Sequence, residues 1–124
     1  MPFEQAFDGP IIVTRFHGTL SNNDLVRMSD MINELERTLD VAPHRLTDLR
    51  GVRKIEVHYP DVQGFADRRT TVTIRNSVRA AIVVATPREF GFARMFQTLN
   101  NNPKIDVEVF TDEQAARDWI AAAP

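Results

Sequence analysis

Cysteine is absent from the 124-residue chain, so disulfide frameworks, thiolate metal sites and thiol nucleophiles are excluded together. Long apolar runs are missing as well. None approaches the ~20 residues that cross a bilayer, and residues 1–10, MPFEQAFDGP, lack the basic start and apolar stretch of a secretory leader. The expectation is a cytoplasmic protein without a transmembrane segment. A surplus of charge is lacking too: with a net charge of −2 and a pI near 5.9, nothing draws the whole surface toward a phosphate backbone, and no nucleic-acid partner is expected. Three histidines, His17, His44 and His58, show no metal-binding spacing, so no metal is expected. The only serines, Ser21, Ser29 and Ser77, lie outside any G-x-S-x-G turn, and no glycine-rich phosphate cradle is present. These gaps point to a protein with no cofactor and no catalytic apparatus.

What is present is a regular alternation of strand and helix signals. Phe3 to Phe7 and Ile11 to His17 are β-prone runs around Asp8-Gly9, a pair suited to a tight hairpin turn. Ser21 with Asp24 opens a helix whose apolar residues Leu25, Met28, Ile32, Leu35 and Leu39 draw one stripe, ended by Pro43. Arg45 to Arg50 reads as a strand stopping at Gly51, with 52–57 open between a strand extension and a loop. Pro60-Asp61 begins a second helix, fraying near Thr71. Val78 to Ala85 is almost wholly apolar, as a central parallel strand covered on both faces should be. Thr86, Pro87 and Glu89 then supply the cap, first position and capping box of a helix over 88–100, with Phe92, Met95, Phe96 and Leu99 inward. Ile105, Val107 and Val109 alternate with Asp106 and Glu108 in a strand near a sheet edge. Thr111 to Gln114 repeats the helix-start device before a closing helix faced by Ala115, Ala116, Trp119 and Ile120. The expected fold is one α/β domain over residues 1–124: a three-layer sandwich whose mostly parallel, five-stranded sheet opens with a β-hairpin and carries four helices on its two faces.

The segments TDLRGV at 47–52, AAIVVA at 80–85, FGFARMFQTL at 90–99 and VEVFTDEQAARDWI at 107–120, in that order and spacing, resemble a SpoIIAA-like member of the STAS fold group. That group includes the anti-sigma factor antagonists of bacterial signalling. The resemblance implies a compact domain used for protein contact or small-ligand binding, with no cofactor. In the antagonist branch a serine at the start of the second helix is phosphorylated and controls docking of a partner. Residues 49–69 of this chain contain neither serine nor threonine, and the phosphoserine switch is therefore not expected. A link sometimes drawn between this branch and the lipid-handling Sec14 proteins keeps an apolar, acyl-like ligand in view as an analogy.

The candidate contact residues are Asp48, Arg50, Arg68, Arg69 and Arg88. Asp48 and Arg50 fall at a parallel strand's end, where open α/β sheets bind ligands, although a structural pair holding the loop explains them too. Thr86 and Arg88 could join them around an anion. Residues 68–88 hold five arginines and no acid, either a solvated face or a surface for an anionic partner. Phe65, Phe92, Met95 and Phe96 are the candidate lining of an apolar pocket, or plain core. The first helix, widened by Val26 and Met31, offers a flank for a second subunit beside its packing role. The expected function is a non-catalytic regulatory module acting through a protein partner and able to form a homodimer, or alternatively a carrier or sensor of a small apolar ligand.

Overall fold

Two strands begin the chain, β1 (Phe3–Asp8) and β2 (Ile11–Ser21), paired antiparallel in the computed structural model, which describes residues 3–70, 75–100 and 102–124, with side chains except at 65, 66 and 68–70. The hairpin loop is Gly9-Pro10, and only Gly9 takes positive φ, at 60°. Asp8 belongs to the strand. The turn is thus one residue later than Asp8-Gly9, with glycine at the position that needs the left-handed backbone.

Helix α1 (Asn22–Thr38) follows, then β3 (Arg45–Glu56), α2 (Tyr59–Thr70), β4 (Val78–Val83), α3 (Pro87–Leu99), β5 (Ile105–Phe110) and α4 (Glu113–Ala121). The strands lie in the order β1-β2-β3-β4-β5, parallel from β2 onward. The five-stranded, mostly parallel sheet with four helices expected from the sequence is the fold observed. Gly51 does not end its strand: β3 runs on to Glu56, and the β2–β3 register shifts between Arg15 and His17 and again between Gly18 and Thr19. A Cβ at Gly51 would lie 2.8 Å from the Phe16 carbonyl oxygen. Glycine permits this close crossing at the irregularity and lets pairing resume beyond it.

The caps follow the sequence in two cases of three. The Ser21 hydroxyl and the Asp24 carboxylate bond each other's backbone N–H groups at the start of α1. At α3, with Pro87 in the first turn, the Thr86 hydroxyl accepts from the Glu89 N–H, while the Glu89 carboxylate accepts from the Thr86 hydroxyl and from the Ala85 N–H one residue before the cap. At α4 the cap is Asp112, whose carboxylate accepts from the Ala115 N–H at 3.0 Å, and not Thr111.

Alternation along the strands sends residues to two unequal layers. Phe3, Phe16, Leu49, Val78, Ile82 and Val107 pack with α1 and α3 residues in the larger core, while Val13, Leu46, Ala81 and Val83 pack beneath Ala116 and Ile120 of α4. Helix α4 packs chiefly on β3, β4 and β5, and reaches β2 through Ile11 and Val13 and β1 through the Arg117–Asp8 ion pair. Fully burying a medium-sized aliphatic side chain stabilises by about 1.5–3 kcal/mol, and the three-helix side therefore supplies most of the packing energy.

Candidate functional site

Asp48, singled out at the strand end, lies on the α4 side of β3, directly opposite Arg15 of β2 in the parallel ladder. Arg15 Nη1 donates to Asp48 Oδ2 at 2.6 Å and to Glu113 Oε1 at 2.9 Å. Arg50 donates through Nε to Asp48 Oδ1 at 2.9 Å, through its backbone N–H to the same oxygen at 3.0 Å, and through Nη2 to Glu113. Arg117, one turn along α4, donates to Glu113 Oε2 at 2.9 Å and reaches Asp8 of β1, also at 2.9 Å. Three guanidinium groups and three carboxylates thus join β1, β2, β3 and α4 with their charges balanced.

Electrostatics follow from this geometry. Hydrogen bonds from Arg15, then Arg117, hold the Glu113 carboxyl down to about 2, against the burial that opposes them. Burial alone would push Asp48 up, but bonds from Arg50 and Arg15 outweigh it and hold its pKa below the usual carboxylate value. The Arg15 guanidinium is raised, chiefly by its bond to Glu113. A carboxylate so occupied is a poor proton acceptor near neutral pH, since a general base needs both a free lone pair and a pKa close to the working pH. The cluster is a clasp that fixes α4 to the sheet.

The other candidates scatter. Arg88 is exposed in the first turn of α3 and makes no ion pair among the described residues, so it does not join Asp48 and Arg50. Arg68 and Arg69 have side chains outside the described residues, as has Phe65. Arg75 stands 3.6 Å from Asp40 before β4, and Arg79 turns to α4, with its guanidinium 4.9 Å from the Trp119 ring centre and Nη1 bonded to the Trp119 carbonyl at 2.6 Å. Arg75 and Arg88 sit at opposite ends of β4, about 20 Å apart along a six-residue strand. The arginine-rich stretch is therefore no continuous patch among the described residues.

His58 is exposed at the start of α2, its backbone N–H capped by Asp61. His44 Nδ1 accepts from the Arg79 N–H at 2.8 Å, and burial, with Arg79 and Arg45 nearby, pushes its pKa below the ordinary value. No three metal-ligating side chains gather among the described residues. No helix there is long and apolar enough to cross a membrane.

Between the sheet and helices α1, α2 and α3 lies a cavity of about 60 Å³. Phe92 and Phe96 line it, with Leu25, Met28 and Ile82; Met95 lies outside the lining. Its polar wall is Arg45, Thr47 and Asn100, and Arg45 is only 8% exposed. A second concavity, of about 340 Å³, runs between β1 and α1 past Phe7, Met31 and Leu35. Sequence reasoning missed Arg15, Arg45 and Glu113. The Glu113-Arg117 spacing of i,i+4 was a readable sign of an ion pair, but Arg45 carried no signal beyond standing in a strand.

No family model matches the chain, and no curated protein matches it. Several solved structures do, among them the following two. One is an uncharacterized protein of the DUF3478 family with a SpoIIAA-like fold from Shewanella loihica, 16% identical, with a TM-score of 0.61 over 95% of this chain and 90% of that one. The other is the anti-sigma factor antagonist SpoIIAA in its unphosphorylated form, 14% identical, with a TM-score of 0.61 over 98% of this chain and 99% of that one. Sheet order, the one antiparallel pair and these likenesses together establish that the chain has the SpoIIAA-like fold of the STAS group.

Proposed function

We propose that this chain is a regulatory binding module that works through protein–protein contact, without catalysis and without a phosphoserine switch. One observation carries the reading. The ionisable groups at the strand ends are spent on each other in the Arg15–Asp48–Arg50–Glu113 clasp, whereas accessible apolar side chains, Phe7 and Met31, gather at an open sheet edge. Spent charges support shape, and exposed apolar surface at an edge supports association. The SpoIIAA likeness, which shows the fold alone, agrees with a module of this kind. The test is reconstitution: a partner recovered with the protein from its own cells should, when both are purified, form a stoichiometric complex that survives gel filtration. A turnover abolished by Asp48→Asn or His58→Ala would overturn the reading.

A second reading is favoured by the cavity. Phe92 and Phe96 with the buried Arg45 make an apolar chamber with one cationic wall, suited to a small acyl or similar carboxylate ligand. At about 60 Å³ the chamber holds roughly two waters' volume, so an acyl ligand would require α2 or α3 to move outward. Native mass spectrometry of protein purified from cells decides: a retained mass that Arg45→Met abolishes supports the carrier, and a bare chain dismisses it.

A further inference from the structure

Strand β1 ends the sheet among the described residues, and its outward N–H and C=O groups have no neighbouring strand there. Its side chains alternate. Phe3, Gln5 and Phe7 face α1, while Glu4, Ala6 and Asp8 face the α4 side, where Glu4 and Ala6 are exposed and Asp8 is paired with Arg117. Each side carries a depression. On the α1 side, Phe7 (52% exposed) and Met31 (37%) border the apolar groove with Leu35. On the other, a hollow of about 180 Å³ is bordered by Glu4 and Asp8 at its edge-strand rim and by Val13 and Arg15 of β2 on its inner side.

We propose that β1 accepts an extended segment of a partner protein as a sixth strand, and that the segment reads basic, apolar, any residue, apolar, basic. The period of a strand dictates this pattern: residues opposite Gln5 and Phe7 enter the apolar groove, and those opposite Glu4 and Asp8 meet the two carboxylates. Backbone hydrogen bonds provide attachment and the alternate side chains provide choice. A second copy of this chain is a poor occupant, because two β1 strands paired antiparallel about Ala6 set Glu4 opposite Asp8 twice. At the other edge, β5 exposes Asp106 and Glu108 and borders no comparable apolar groove among the described residues, so the inference is confined to β1. It rests on the protein-contact reading and names the site and partner chemistry.

The experiment titrates the full ¹⁵N-labelled chain with a capped heptapeptide, Thr-Lys-Val-Ser-Val-Lys-Thr, against versions with glutamate for lysine and serine for valine. The lysine–valine peptide should give saturable amide shifts at residues 3–8, with a Kd below about 1 mM. The control peptides should bind at least about tenfold more weakly, Glu4→Lys should weaken binding by about fivefold, and Phe7→Ser by about tenfold. Glu4 and Phe7 are both exposed, and the amide spectrum of each variant verifies its fold. Shifts centred elsewhere, equal binding of all three peptides, no binding, or peptide-free shifts at residues 3–8 that vanish on dilution, as a second copy would cause, each overturn the proposal. Failure here leaves the reconstituted complex to stand or fall separately, because a partner can dock on another face.

Discussion

Replacing Glu113 by glutamine measures how strongly the clasp holds α4 to the sheet. The carboxyl sits at about 2 against an ordinary 4.5, because Arg15 and then Arg117 bond its charged form. A displacement of that size is worth about 3 kcal/mol at full strength. Arg15 and Arg50 keep 42% and 39% of their side-chain surface in solvent, and screening reduces the figure to about 1–2 kcal/mol. The sign is fixed by the direction of the shift. A depressed carboxyl contributes fully above its unfolded value of 4.5, and the contribution is lost as pH falls through 2. Trp119, the single tryptophan, stacks on Phe110 with ring centres 5.6 Å apart and so reports α4 directly. Urea unfolding followed by its fluorescence should show the Glu113→Gln midpoint lower by about 1 M at neutral pH. Most of that gap should close by about pH 2.5, and raising salt to about 1 M should shrink it by roughly half. Equal midpoints at neutral pH, or a gap that acid leaves intact, would refute the electrostatic account of the clasp.

Gly51→Ala should destabilise by about 1–3 kcal/mol in thermal or urea unfolding, because the new Cβ would meet the Phe16 carbonyl oxygen at 2.8 Å and backbone must shift; a neutral result would show that the β2–β3 irregularity is soft. Leu49→Ala, at a position 2% exposed beside the cavity, should cost about 2–5 kcal/mol and enlarge the chamber. His44 should titrate below 6.5 by NMR, since burial and then Arg79 disfavour its cation. Its folded value is depressed, so stability should fall as pH drops below 6.5, and His44→Asn should flatten that slope; a midpoint at or above 6.5 contradicts this.

Most of the fold was legible because local signals agreed with one another. Ser21 with Asp24 and Thr86 with Glu89 announce helix starts; the first is a capping box, and in the second Thr86 caps while Glu89 reaches back to the Ala85 N–H. The apolar run at 78–85 announces a central strand, and β4 occupies its first six residues inside the sheet. Failures came where a residue's role depends on a distant neighbour. Gly51 looks like a strand end, and only the passing Phe16 carbonyl shows why glycine is needed inside β3. Asp48 and Arg50 were visible as a pair, but the third member, Arg15 of β2, stands 33 residues from Asp48 and the fourth, Glu113 of α4, 63 residues from Arg50 along the chain. The arginines of 68–88 form a run in sequence, but Arg79 leaves for Trp119 and Arg88 for the far end of β4. Charge runs survive folding only when the segment stays on one face.

The unequal layers also bear on where this domain can respond to a partner. On one side, α1 and α3 bury an apolar core containing Phe3, Phe16 and Leu49. On the other, a single nine-residue helix rests on a smaller cluster through Ala116 and Ile120 and depends on the clasp. A helix that short is marginal without tertiary contacts, so α4 depends on the clasp and on the Ala116–Ile120 cluster for its place. Asp8 ties the end of β1 to Arg117 of that helix. A strand added at β1 that drew Asp8 toward a lysine would weaken the Arg117 bond, and occupancy of the edge would be felt at α4 across the sheet. Because the charges balance, the loss need not unfold anything: Glu113 keeps Arg15 and Arg50 when Arg117 turns away.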